Sequence, residues 1–160
     1  MIFVTVGEQL PFDRLVRAVD EWAATSGEEV FAQIGATKWK PQNIGFKKFL
    51  DPEEFIERLQ HADLIVGHAG MGTIITALEK GKQLLVLPRQ SALGEHRNDH
   101  QLATAKRFQA LGYIMVAMDE FDLSCKLKIW KDGNSGQVGK VKYEPASQLI
   151  DEIRRFVEAV

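Results

Sequence analysis

Three short apolar runs constrain this chain more than any other feature: "IFVTV" at residues 2–6, "DLIVGH" at 63–68 and "QLLVLP" at 83–88. None alternates apolar with polar residues, so each reads as a strand buried on both faces, as in a parallel sheet covered by helices. Helix-length segments lie between them. "PFDRLVRAVDEWAAT" sets Phe12, Leu15, Val16, Val19 and Trp22/Ala23 at helical spacing, with Pro11 suited to the first turn. "EVFAQIG" supplies a strand over Glu29–Ile34 and "GFKKFL" a short one. "DPEEFIERLQHA" is a helix with Asp51 as N-cap, Pro52 at the first position and two glutamates in the first turn, where they complement the helix dipole. "GTIITALEKG" reads as a helix stopped by Gly81, "NDHQLATAKRFQALG" as another helix and "YIMVA" as a strand. "KDGNSGQVGK" reads as a surface loop, and "PASQLIDEIRRFVEAV" as a terminal helix with Ile150, Ile153, Phe156 and Val157 on one stripe.

Strand–helix units repeated at this length predict an α/β fold: a Rossmann-like, doubly wound, mostly parallel sheet with helices on both faces and right-handed crossovers. The 160 residues fit one domain over 1–160, large enough to bury a core but small for an enzyme holding two sizeable substrates. A net charge of -2 gives no bulk attraction to nucleic acid. The single cysteine, Cys125, excludes an internal disulfide framework and suits a reducing, cytoplasmic setting. The opening "MIFVTVG" is neither a signal peptide nor a span, and no run reaches the roughly 18 apolar residues a membrane helix needs.

In such a sheet ligands bind beyond the carboxyl ends of the strands, so the loops after Val6, Ile34, Gly67 and Leu87 carry the chemistry. The turn "GHAGMGT" lies at one of these ends. Gly70 and Gly72 let backbone approach a ligand, and Thr73 with the first free N–H groups of the helix offers donors to a phosphate or a polar ring. A tight turn without a ligand is the competing reading. The loop "PRQSALGEHRNDHQ" gathers Arg89, Glu95, His96, Arg97, Asn98, Asp99, His100 and Gln101, a mixture suited to hydroxyl-rich ligands because every sugar hydroxyl both donates and accepts. His96 and His100 have helical metal-binding spacing but no third ligand, so no metal is expected.

Taken together, "MIFVTVG", "PFDRLV", "QIG", "ADLIVGHAGMGTI", "GKQLLVLPR" and "GEHRNDHQ" make the chain resemble the single-domain GT-B UDP-glycosyltransferases over nearly all of residues 1–150. These are related to the C-terminal, donor-binding domain of family 28 glycosyltransferases. They include exopolysaccharide subunits of the PssE type and the soluble catalytic subunit of the eukaryotic dolichol-linked UDP-GlcNAc transferase. The resemblance implies half of a GT-B fold with a UDP-sugar as donor substrate, no cofactor and no metal. It places Gly7, His68, Gly70, Gly72 and Thr73 at the diphosphate, and Asp99 and Gln101 at the donor sugar. Arg89 and Arg97 are compatible with charge stabilisation on departing UDP. Two departures stand out. Thr76 occupies the position where many relatives carry a ribose-binding glutamate, with Glu79 one turn later. Glu8 stands where threonine is expected, and a carboxylate beside a diphosphate is repulsive.

The resemblance extends only to the donor half of the GT-B architecture, and an acceptor half supplied by another chain is the expectation that resolves the tension over size. The resemblance implies a membrane-anchored, acceptor-binding glycosyltransferase subunit as partner. It implies transfer of a hexose to a polyprenyl-diphosphate-linked saccharide in exopolysaccharide synthesis, with the protein cytoplasmic and held at the inner face of the membrane through its partner. The general base is expected from that partner, with His96 the candidate within this chain. A non-catalytic regulatory or scaffolding subunit is the alternative, and a small enzyme acting as a homodimer is a third reading.

Overall fold

The computed structural model describes residues 1–133, 151–153, 155, 158 and 159. Its elements in order are β1 (Ile2–Thr5), α1 (Asp13–Ser26), β2 (Val30–Gln33), β3 (Gly45–Lys47), α2 (Pro52–His61), β4 (Leu64–Gly67), α3 (Met71–Glu79), β5 (Gln83–Val86), a 3-10 turn (Ser91–Leu93), α4 (His100–Ala110), β6 (Met115–Val116) and α5 (Glu120–Lys131). All pairings are parallel, in the order β3-β2-β1-β4-β5-β6. This is the doubly wound, Rossmann-like arrangement expected from the apolar runs.

The non-alternating strands are explained by two cores. On one face, Ile2, Val4, Leu64, Val66, Leu85 and Met115 pack under Leu15, Val16 and Val19 of α1 and Leu123 and Leu127 of α5. On the other, Phe3, Ile65, Leu84, Val86 and Val116 meet Leu59 of α2, Ile74, Ala77 and Leu78 of α3, and Ala105 and Phe108 of α4. Each fully buried aliphatic side chain stabilises the fold by about 1.5–3 kcal/mol, so covering both faces dominates its stability. The chain turns from the β2 side of the sheet to the β4 side at β1, so β1 and β4 flank the switch in strand order where a ligand crevice opens.

Local signals behave as their chemistry requires. Asp51 caps α2 by accepting from the Glu54 amide at 2.9 Å, with Pro52 at the first position. Gly81 follows the end of α3 with φ +63°, a conformation glycine adopts without strain. The helix α5 was not signalled by the strand–helix alternation. It begins where Asp119 accepts from the Asp122 amide at 2.8 Å, and its Trp130 donates through Nε1 to Gln83 Oε1 at 3.1 Å.

Several boundaries shift. The first strand ends at Thr5 rather than Val6, the second covers Val30–Gln33, and only Met115–Val116 of "YIMVA" pairs. Pro11 lies outside α1, not in its first turn: Phe12 holds the N-cap position with non-helical backbone angles, and its amide donates to Thr37 Oγ1 at 3.0 Å instead of entering the helix. Beyond Gly133, the loop expected over 131–140 lies outside the described residues, and Lys131 itself ends α5. Of the terminal-helix stripe, Ile153 is buried in the second core, whereas Ile150, Phe156 and Val157 lie outside the described residues.

Candidate functional site

A cleft of about 740 Å³ opens at the switch point between the carboxyl ends of β1 and β4. Nucleotide-sized ligands occupy crevices of this size, roughly 300–1,000 Å³. One wall is the segment from Thr5 to Leu10, and the facing wall is His68, Gly70 and the first turn and a half of α3.

At its centre stands His68. The imidazole fills the space that side chains at two glycines would need: a Cβ on Gly7 would lie 2.9 Å from its Cε1, and one on Gly70 would lie 2.2 Å from its Nε2. Gly7 also has φ +76°, so glycine is demanded there twice over. Burial, with the positive charge of Arg89 adding to it, pushes the His68 pKa from 6.5 down to about 4. The ring is therefore neutral at physiological pH, and its Nδ1 is buried with no hydrogen-bond partner among the described residues. The space at Gly70, which the sequence assigns to a ligand, is first of all room for this ring.

Gly72 is different. Nothing lies within 4 Å of a Cβ placed on it, although glycine inside a helix costs about 0.5–1 kcal/mol relative to alanine. No contact among the described residues requires a glycine there. The helix it opens, α3, has Gly70 as N-cap and no side-chain capping bond, so its leading amides face the cleft unshielded. Thr73 lines the cleft, as does Thr76, whose hydroxyl donates to the Gly72 carbonyl at 2.7 Å. Glu79 is exposed and outside the lining, so it does not stand in for a carboxylate at Thr76. Glu8 is exposed on the opposite lip.

The loop after β5 closes the third side. Arg89 is buried, 2 % exposed, and lines the cleft floor. Its guanidinium nitrogens bond backbone carbonyls: NH1 donates to Pro11 at 2.6 Å and Glu95 at 3.4 Å, and NH2 to Val6 and Leu10, both at 2.8 Å. Burial pulls its pKa below the usual arginine value, the charge of Glu95 opposing, yet an arginine so placed stays charged at neutral pH. Glu95 is itself engaged, accepting both Arg14 Nε at 2.7 Å and Arg14 NH2 at 2.9 Å in an ion pair only 11–12 % exposed.

Gln101 also lines the cleft, buried, with Oε1 accepting the Arg89 amide at 3.1 Å. Since the oxygen must face that donor, the Gln101 NH2 group is left for other partners. Asp99 is outside the cleft lining. Its carboxylate accepts from the Ser91 amide at 2.8 Å and the Ser91 hydroxyl at 2.9 Å, which holds its pKa below the usual carboxylate range, and it does not cap α4. His96 lines the cleft, and Arg97 is exposed and does not. Among the described residues no cluster of three His, Cys, Asp or Glu forms a metal site, and no helix is long and apolar enough to cross a membrane.

The cleft also has an apolar wall that no sequence motif marks. Leu50, Pro52, Phe55 and Ile56 line the cleft beside Gln33, whose Oε1 accepts the Leu50 amide at 3.0 Å. Their signal was present in the first turn of α2, where Phe55 and Ile56 follow two glutamates, but periodicity assigns such residues to the core. Phe55 in fact serves both, meeting Phe3 edge to face at 5.4 Å.

An α/β domain with this strand order belongs among the Rossmann-like folds, whose crevice lies at the switch point. Residues 1–132 match the model of the glycosyltransferase family 28 C-terminal domain, and the chain belongs to that family. It is 32 % identical over 124 residues to the UDP-N-acetylglucosamine transferase subunit ALG13 of Homo sapiens, covering 71 % of this chain and 10 % of that protein. Its identity to the ALG13 subunit of Eremothecium gossypii is 32 % over 114 residues, covering 69 % of this chain and 53 % of the relative. The chain thus spans about half of the fungal relative and a tenth of the human one. Among solved structures, an NMR structure of ALG13 superposes with a TM-score of 0.57 at 19 % identity, over 90 % of this chain and 97 % of that one. Os79 from O. sativa in complex with UDP gives 0.65 at 15 % identity, over 85 % and 32 %. At these identities the superpositions establish the fold alone, a Rossmann-like α/β unit.

Two predictions follow from the packing of His68. Gly70→Ala must displace the ring and should lose stability in urea unfolding. Gly72→Ala, with open space around it, should gain up to about 1 kcal/mol; equal stability of the two variants would contradict the described geometry. The second concerns pH. An unfolded imidazole takes up its proton near 6.5, whereas the folded one stays neutral down to about 4. The contribution of this group is complete above pH 6.5 and falls away as pH drops toward 4, by about 3 kcal/mol in all. His68→Asn should therefore flatten the fall in unfolding free energy between pH 7 and pH 5 by about 2 kcal/mol; an unchanged slope would show that the ring is not held neutral.

Proposed function

We propose that this chain is the donor-binding subunit of a UDP-sugar-dependent hexosyltransferase, with the nucleotide diphosphate held between the leading amides of α3 and the loop after β1. The observation that carries the reading is the convergence of an uncapped helix N-terminus, the Gly72 that no contact among the described residues requires, and the buried charge of Arg89 on one cleft. Oriented amides in a partly desolvated cleft favour an anion by up to about 2 kcal/mol and need no metal to do so. The apolar wall of Leu50, Phe55 and Ile56 suits the flat face of a base, and the Gln101 NH2 group is placed to donate to a sugar oxygen.

Family membership and the ALG13 relatives, which are UDP-N-acetylglucosamine transferase subunits, support a donor of this class and an assembly of more than one chain. The matched family domain is a C-terminal one, and the ALG13 relatives are subunits. We therefore assign acceptor binding and the general base to a membrane-anchored partner, with a polyprenyl-diphosphate-linked saccharide as acceptor and this chain cytoplasmic and peripheral through that partner. We place the transfer in exopolysaccharide synthesis, because the single-domain GT-B family that the six sequence motifs resemble includes PssE-type subunits.

Calorimetric titration with UDP and UDP-sugars, followed by hydrogen exchange, tests this. UDP should bind and slow exchange at the amides of Gly70–Ile74, and Gly72→Val should abolish binding while the fold persists. Absence of binding at millimolar UDP would favour a non-catalytic scaffolding subunit, and binding without protection there would move the site elsewhere.

A further inference from the structure

We infer that Arg89 is a positioning residue, which shapes the loop after β1 and charges the cleft floor without itself contacting the donor; the inference rests on the donor-site reading above. A guanidinium has five N–H donors, four of them on its two terminal nitrogens. Here those four are directed at backbone carbonyls, three of which belong to Val6, Leu10 and Pro11 on a single loop. The guanidinium also lies over the ring of Phe12, 4.5 Å from its centroid, and Gln101 holds the Arg89 amide. A phosphate could take these terminal donors only by releasing the carbonyls into a buried space, at a cost of about 1–3 kcal/mol for each one left unpaired.

The consequence for the loop follows from peptide geometry. In a trans peptide the C=O and N–H point in opposite directions. Drawing the carbonyls of Val6, Leu10 and Pro11 onto Arg89 orients three peptide planes that bracket Gly7–Leu10. The Leu10 carbonyl leaves no opposed N–H because Pro11 has none, and the N–H opposed to the Pro11 carbonyl, that of Phe12, goes to Thr37 Oγ1 at 3.0 Å. Between these fixed planes the amides of Glu8, Gln9 and Leu10 make no hydrogen bond among the described residues, and all three residues line the cleft. The charge acts with the geometry. The carboxylate nearest to hand, that of Glu95, is committed to Arg14, so the positive charge under the loop is met by neutral carbonyls. Lysine, with one nitrogen and three donors, keeps the charge but cannot span the four carbonyls.

The test compares wild type, Arg89→Met and Arg89→Lys by calorimetry with UDP and with uridine, and by nitrogen-15 relaxation of the amides of Gly7, Glu8, Gln9 and Leu10. General damage to the fold lowers both affinities together. A role at the diphosphate lowers UDP alone, so Arg89→Met is expected to bind uridine as wild type does and UDP at least about tenfold more weakly. Arg89→Lys should recover part of the UDP affinity through its charge, while the order parameters of the loop fall below about 0.6 from a rigid value near 0.85. A UDP-to-uridine affinity ratio in Arg89→Met equal to wild type overturns the inference. Should Arg89→Met not fold, loop order parameters in Arg89→Lys equal to wild type overturn it as well. If wild type binds neither ligand, the donor-site reading fails, and the relaxation data in Arg89→Lys still judge the clamp.

Discussion

The imidazole of His68 fits between Gly7 and Gly70, and the rest of the carboxyl edge depends on that fit. Gly7 follows β1 and Gly70 opens α3, so the ring bridges the two strands whose outgoing chains part at the switch point. A side chain at either glycine would collide with it, and without the ring the two walls of the cleft would have no common spacer. Burial keeps it neutral, which lets a ring sit beside the cation of Arg89 without two positive charges facing each other.

Arg89 and the Arg14–Glu95 pair complete the support from below. Together they join α1, the loop after β1, the loop after β5 and, through Gln101, the start of α4. A buried ion pair of this kind contributes little net stability compared with apolar packing, but breaking it leaves an uncompensated charge inside. Its value here is geometric: it leaves Arg89 free of a carboxylate and holds the cleft walls at fixed separation. Function in this reading comes from groups without partners among the described residues, namely the first amides of α3, those of Glu8–Leu10 and the Gln101 NH2, set beside side chains such as Arg89 and Glu95 that are bonded.

The layering of the fold was legible because both faces of the sheet are covered, which turns strands into continuous apolar runs and helices into one-sided stripes. Asp51, Pro52 and Gly81 could be read because capping is a local property. The helix α5 is hard to read because the exposed Phe121 and Ile129 add apolar residues off the stripe of Leu123, Leu127 and Trp130. At the site, the sequence located the loops but not the direction of their side chains. Gly7, His68, Gly70, Gly72, Thr73, Thr76, Arg89 and Gln101 line one cleft, with the Arg89 guanidinium turned to the carbonyls of Val6, Leu10 and Pro11, whereas Asp99 lies outside it and turns to Ser91. Those choices depend on long-range partners: Arg89 reaches back some eighty positions to its carbonyls, a relation no spacing rule encodes.

The most direct measurement of the central claim is a crystal structure of the chain with a UDP-sugar bound. The account predicts the diphosphate within hydrogen-bond distance of the amides of Gly72 and Thr73, the base against Phe55 and Ile56, and the Arg89 guanidinium still on its backbone carbonyls. A diphosphate lying away from the start of α3 would contradict it, and so would an Arg89 side chain turned out of its carbonyl cage onto the phosphates.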